Sequence, residues 1–168
     1  MPTCGKWDAG SVTCHHAGVA ADIAFFLAPD DQTAAATRLS GPGRTYDSVT
    51  CRSIEPDSSI AEWDMYFAAP SAELPPLEQL YAWAWPECVT PPLNDGIEVF
   101  ALPVRLTRAL ANASASELAG LAARWTTRLG RTDGDDMTDD DPRAILQGIA
   151  RLAAAAVSSD GGLYCWSH

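Results

Sequence analysis

The sequence predicts an α+β fold: one domain with a largely antiparallel sheet of about five strands, packed by roughly three to four helices. Three observations lead there. The chain has 168 residues, 47% apolar and 20% charged, which is the balance of a chain that buries a real core. Short stretches with a polarity period of two stand among stretches with helical spacing. Strands and helices mix without the strict strand–helix–strand rhythm of a parallel sheet. The alternative organisation divides a β-rich half, 1–70, from a helical half, 97–168.

The elements follow in order. In "GVAADIAFFLA", residues 18–28, the side chains of Val19, Ala21, Ile23, Phe25 and Leu27 fall on one face of a strand. Pro29, Asp30 and Asp31 end it and open a short alanine-rich helix, "DQTAAATRL". "SGPGR" at 40–44 supplies the turn that stops that helix. A strand is expected over 46–54 and another over 60–68, "IAEWDMYFA". In the second, Ala61, Trp63, Met65 and Phe67 share a core face, leaving Glu62, Asp64 and Tyr66 toward water. The turn "EPDSS" would join the two as a hairpin.

Five prolines between 75 and 92 restrict the middle to one short helix near 76–84, followed by irregular chain. That stretch carries Tyr81, Trp83 and Trp85, too aromatic for a solvated linker. "IEVFAL" at 97–102 reads as a strand, and a helix follows from Pro103. "SASE" at 114–117 is a capping box, in which Ser114 accepts from the Glu117 amide while the Glu117 side chain reaches back. Leu118, Leu121, Trp125 and Leu129 then recur at helical spacing. After the polar run "GRTDGDDMTDDD", Asp141 stands at an N-cap and Pro142 at the first helical position. Ile145, Ile149, Leu152 and Ala156 line the next helix, "SSDGG" stops it, and "LYCWS" at 163–167 closes the sheet.

The net charge is −11, and the basic residues are ten arginines and Lys6. Arginine over lysine, with abundant alanine, is the codon signature of a GC-rich, bacterial-type genome. The charge argues against nucleic acid or anionic lipid as partner, since both require a basic face. No stretch is long and apolar enough to span a bilayer, and no cationic-then-apolar leader opens the chain, so a cytoplasmic location is expected. Five cysteines in a reducing compartment do not suggest a disulfide framework.

Four constellations could carry chemistry. In "CGKWDAGSVTCHH", residues 4–16, an extended chain would put Cys4, Cys14 and His16 together as zinc ligands, with Cys51, Cys165 or His168 as a distant fourth. No C-x-x-C pair supports this, and buried thiols acting as small hydrophobes are the plainer account. Cys14 beside His15 or His16 could instead form a thiolate–imidazolium nucleophile. The aspartates at 133–141 are dense, but Met137 stands where a calcium loop needs a ligand and the closing glutamate is missing. Finally Tyr81, Trp83 and Trp85, with Glu62 and Asp64, could meet a protein partner.

The sequence shows no dinucleotide fingerprint, P-loop, nucleophile elbow or H-E-x-x-H motif. The expectation is therefore a small acidic module that binds a basic protein, as an immunity protein or antitoxin does, with no cofactor. A metal- or thiol-dependent enzyme built on the N-terminal Cys/His cluster is the alternative. A small-molecule binder closed by the Trp83 and Trp85 loop is the third reading.

Overall fold

The computed structural model describes residues 22–52, 54–70, 73–83, 85–91, 93, 95–132 and 141–168. Five strands and six helices run in the order β1 (Asp22–Ala28), α1 (Asp31–Ala35), β2 (Ser48–Arg52), α2 (Pro56–Ala68), α3 (Leu77–Tyr81), β3 (Glu87–Cys88), β4 (Glu98–Ala101), α4 (Val104–Asn112), α5 (Ala115–Thr132), α6 (Pro142–Ser159) and β5 (Gly162–Ser167) among the described residues. The strands form one sheet, ordered β2-β1-β5-β4-β3, and every neighbouring pair is antiparallel. The chain is α+β with an antiparallel sheet, and its helices outnumber the expected three or four.

The inner strands β1, β5 and β4 are buried on both faces, which explains their nearly continuous apolar runs, whereas the edge strands β2 and β3 are partly exposed. On one face Ile23 and Phe25 of β1, Cys51 of β2, Phe100 of β4 and Leu163 and Cys165 of β5 join the main core. On the other, Phe26, Ala28, Val99 and Tyr164 pack with Ala34 of α1, Tyr46 and Val89. The alternation is strict along β1 and β5, as a period of two requires. α6 lies across β1, β2 and β5 and also packs on α4 and α5. Its fully buried stripe is Leu146, Ile149, Leu152, Ala153 and Ala156.

The helix ends follow local chemistry. Ser114 Oγ accepts from the Glu117 amide at 3.2 Å, and Glu117 Oε2 accepts from the Ser114 amide at 2.7 Å. Asp141 accepts from the Arg143 amide at 2.9 Å and Pro142 begins α6. Asp160 closes that helix in the left-handed region, and the Gly161 amide donates to Ala156 O at 3.0 Å.

One element differs in kind from expectation. Residues 60–68 belong to a helix, α2, and β2 pairs with β1 instead of forming a hairpin with them. Pro56 supplies the preset φ of a first helical turn after an extended Glu55. Ile60, Trp63 and Phe67 then stand at i, i+3 and i+7 on the core side. The water-facing polar row predicted for a strand does not exist, because Ser59 through Asp64 are all buried. The short pair β3 with β4 fills the fifth strand position instead.

Candidate functional site

Three sets of polar side chains stand out, and α2 contributes to each. The first lies between α2 and α5. Glu62 is 1% exposed and receives Arg128 Nε at 2.8 Å and Arg124 Nε at 3.4 Å. Arg128 also donates to Pro75 O at 2.8 Å, and Arg124 to Glu62 O at 3.2 Å, stacking 4.9 Å from the Tyr66 ring centre. Burial pulls the Arg124 guanidinium below its ordinary pKa, against the opposing attraction of Glu62. A carboxylate this deep is tolerated only because arginine donors surround it.

The second set carries the aromatic loop. Asp64 is 2% exposed, with Trp83 Nε1 donating to Oδ2 at 2.7 Å and Arg105 Nε to Oδ1 at 2.8 Å. The Arg105 guanidinium also lies 5.1 Å from the Trp83 ring centre, a cation–π contact. Trp83 is thereby held from two sides. Trp85, two residues on, keeps 40% of its surface exposed, and Leu93 keeps 54%. Arg38, from the turn after α1, pairs with Asp95 beyond Leu93 and so ties this loop to the body of the fold. Trp166 of β5 fixes that turn in place by donating from Nε1 to Arg38 O at 2.8 Å.

The third set lines a cavity of about 200 Å3 where the N-terminus of α2 meets the ends of β4 and β5. Asp57, Glu98, Glu55 and His168 face it, over a floor that includes Ile54 and Phe100. Burial pushes the Asp57 carboxyl above its ordinary pKa. Burial, and then the negative charge of Asp57, do the same to Glu98.

The residues expected to act therefore separate. Glu62 and Asp64 are not on a solvated strand face; they are buried in a helix and matched by arginines. Trp83 bonds to Asp64, Trp85 is partly exposed, and Tyr81 ends α3 with its side chain outside the described residues. Cys4, Cys14, His15 and His16, and the aspartates from 133 to 140, also lie outside the described residues. Cys51 and Cys165 are buried in the helix-facing core, opposite Ile23 and Phe25 of β1 respectively. Burial pushes the Cys165 thiol well up, which makes it a poor nucleophile. Among the described residues no group of three or more His, Cys, Asp or Glu side chains is arranged to hold a metal ion. No described helix is long and apolar enough to cross a membrane.

The cavity pair escaped the sequence reading because Asp57 and Glu98 are 41 positions apart and fall in ordinary turn and strand contexts. The signal within reach was the Pro-Asp start of α2.

No protein-family model, no curated protein and no solved structure matches this chain.

Proposed function

We propose that this chain is a protein-binding module that captures a basic partner through the loop carrying Trp85. The observation that supports it most is the division of labour between two tryptophans. Trp83 is clamped to Asp64 and Arg105, and Trp85, two residues on, keeps 40% of its surface exposed. A large aromatic held in place before binding loses little freedom on docking, which is the property of an interface hot spot. Leu93 adds apolar surface, and the exposed Glu78 and Glu87 flank the stretch in sequence. The net charge of −11 would draw a cationic partner in and make the encounter salt-sensitive.

In its narrower form the partner is a basic toxin-like enzyme, and this chain neutralises it as an immunity protein or antitoxin does. The test is affinity capture from an extract of the source cells at low and high salt, followed by calorimetry with the purified partner. Trp85→Ala should weaken binding by about 2 kcal/mol or more if Trp85 is a hot spot. Added salt should slow association. Equal affinity for both proteins, with no response to salt, would overturn the proposal.

A further inference from the structure

We propose that the β2 edge of the sheet, with the cleft beside it, docks an extended peptide segment of another protein, which adds as an antiparallel strand and carries an acidic side chain into the cleft. This site stands apart from the Trp85 loop and does not depend on that reading. Among the described residues β2 ends the sheet and pairs with β1 alone. The Leu27 amide donates to Asp47 O at 3.4 Å, and the register of the pair sets those two residues opposite each other. Asp47, Val49 and Cys51 therefore direct their amides and carbonyls toward β1. Ser48 and Thr50 direct theirs outward, and among the described residues nothing takes them up. These outward donors and acceptors, two residues apart, are what an added strand pairs with. The opposite edge, β3, is two residues long and offers far less.

The cleft supplies the specificity. Cys51 belongs to the helix-facing core, so Ser48, Thr50 and Arg52 send their side chains to the other face. There a space of about 510 Å3 is lined by these three with Ser40, Gly41 and Trp166. The Trp166 indole is partly exposed and held by its bond to Arg38 O. The loop at 40–43 sits against that ring, and a Cβ on Gly41 would lie 3.7 Å from it. In an added antiparallel strand, the residues opposite Ser48 and Thr50 point their side chains to this same face. The lining sets their chemistry. It holds the hydroxyls of Ser40, Ser48 and Thr50 and the Arg52 guanidinium, and among the described residues no Asp or Glu lines it. In a chain of net charge −11 such a donor-rich cleft is the place that favours an anion. An Asp or Glu side chain accepts from hydroxyls and a guanidinium together. A second copy is the poorer occupant. Two chains of −11 repel, and β2 itself, SVTCR, has no carboxylate to offer.

The experiment titrates the whole chain at neutral pH with the blocked peptide acetyl-Val-Glu-Val-Thr-Val-amide, observed by amide NMR. Binding should saturate with a dissociation constant of about 1 mM or tighter, and the shifts should centre on Ser48, Thr50 and Trp166. N-methylation of the peptide's Glu and Thr removes the donors that face β2 and should weaken binding at least about tenfold. N-methylation of the central Val, whose amide faces away, should leave it within about twofold. Replacing the peptide's Glu by Gln should weaken it about fivefold. Thr50→Pro deletes an outward amide without breaking the ladder to β1. In a chain shown by thermal melt to be folded it should weaken binding at least about tenfold, and the methylated peptides read the same bond on the unaltered chain. Failure to saturate, equal loss from both methylations, or equal binding by acetyl-glutamate methylamide would overturn the proposal. So would a dimer in sedimentation that Thr50→Pro splits and the peptide does not, since the edge would then belong to a second copy.

Discussion

The indole of Trp83 donates to Asp64 across nineteen residues of chain, at 2.7 Å, and this bond joins the aromatic loop to α2. Its acceptor is charged and 2% exposed, so the bond belongs to the stronger class. Trp83→Phe keeps most of the ring and removes the donor. The expected cost is about 1.5–3 kcal/mol in urea unfolding. Arg105 still neutralises Asp64, so the variant should remain folded. Amide exchange at Trp85 should accelerate more than exchange in α6, because the loop has lost its anchor. Unchanged exchange at Trp85 would mean that the loop is held by something else.

Glu62 tests the deeper network. Glu62→Gln leaves Arg124 and Arg128 charged and close together without their shared counter-charge, and removing one charge of a buried ion pair costs about 3–5 kcal/mol. Arg124 is itself 5% exposed, so water cannot readily take the place of the carboxylate. Replacing all three with apolar residues of similar volume should recover much of the loss. Chemical denaturation of Glu62→Gln and of the triple variant checks both halves. A loss under about 1 kcal/mol would show that the arginines find other partners.

The cavity carboxyls predict an inverted pH response. Asp57 and Glu98 have folded-state pKa values above their ordinary 3.8 and 4.5, so the folded chain holds these protons more tightly than the unfolded one. The stability they contribute is present below those ordinary values and is lost as pH rises through the raised ones. Asp30, Asp95 and Glu117 act oppositely: hydrogen bonds from Thr33, Arg38 and Ser114 respectively lower them, so their contribution disappears in acid. Glu98→Gln isolates the first effect. Its melting temperature should exceed the wild type's at pH 7, and the gain should shrink as pH falls toward 4. A variant less stable than wild type at pH 7 would show that Glu98 has a stabilising partner.

Much of the fold was readable because local chemistry decided it. The capping box at Ser114, the Asp141–Pro142 start, the stripe from Ile145 to Ala156 and the turn at Asp160 each specify their element from neighbouring residues. α2 was misread because its signal is tertiary. A helix that buries Glu62 and Asp64 against arginines 41 to 66 positions away loses the polar face that marks an amphipathic helix. Trp63, Met65 and Phe67 then mimic a strand's alternation. The surroundings of Glu62 and Asp64 were misread for the same reason: a carboxylate looks solvated until its distant partner is known. Trp83 and Trp85 stand out in the sequence, but the bond from Trp83 to Asp64 is visible only in the fold.

Gly148 offers the sharpest packing test. It lies in the middle of α6 where that helix crosses β2, and a methyl group there would meet Val49 Cγ2 at 2.7 Å and Cγ1 at 3.4 Å. No real side chain tolerates the first distance, so either Val49 or the helix must shift. In an exposed helix Gly→Ala would stabilise by up to about 1 kcal/mol. Here overpacking should reverse the sign, with a net cost of about 1–3 kcal/mol. The obstruction is a side chain, so it can be removed: Gly148→Ala combined with Val49→Ala should be more stable than the sum of the two single changes predicts. A positive coupling of at least about 0.5 kcal/mol in a double-mutant cycle is the expected result. Strict additivity would mean that α6 and β2 can separate at little cost, and that the helix layer is held mainly by α4, α5, β1 and β5.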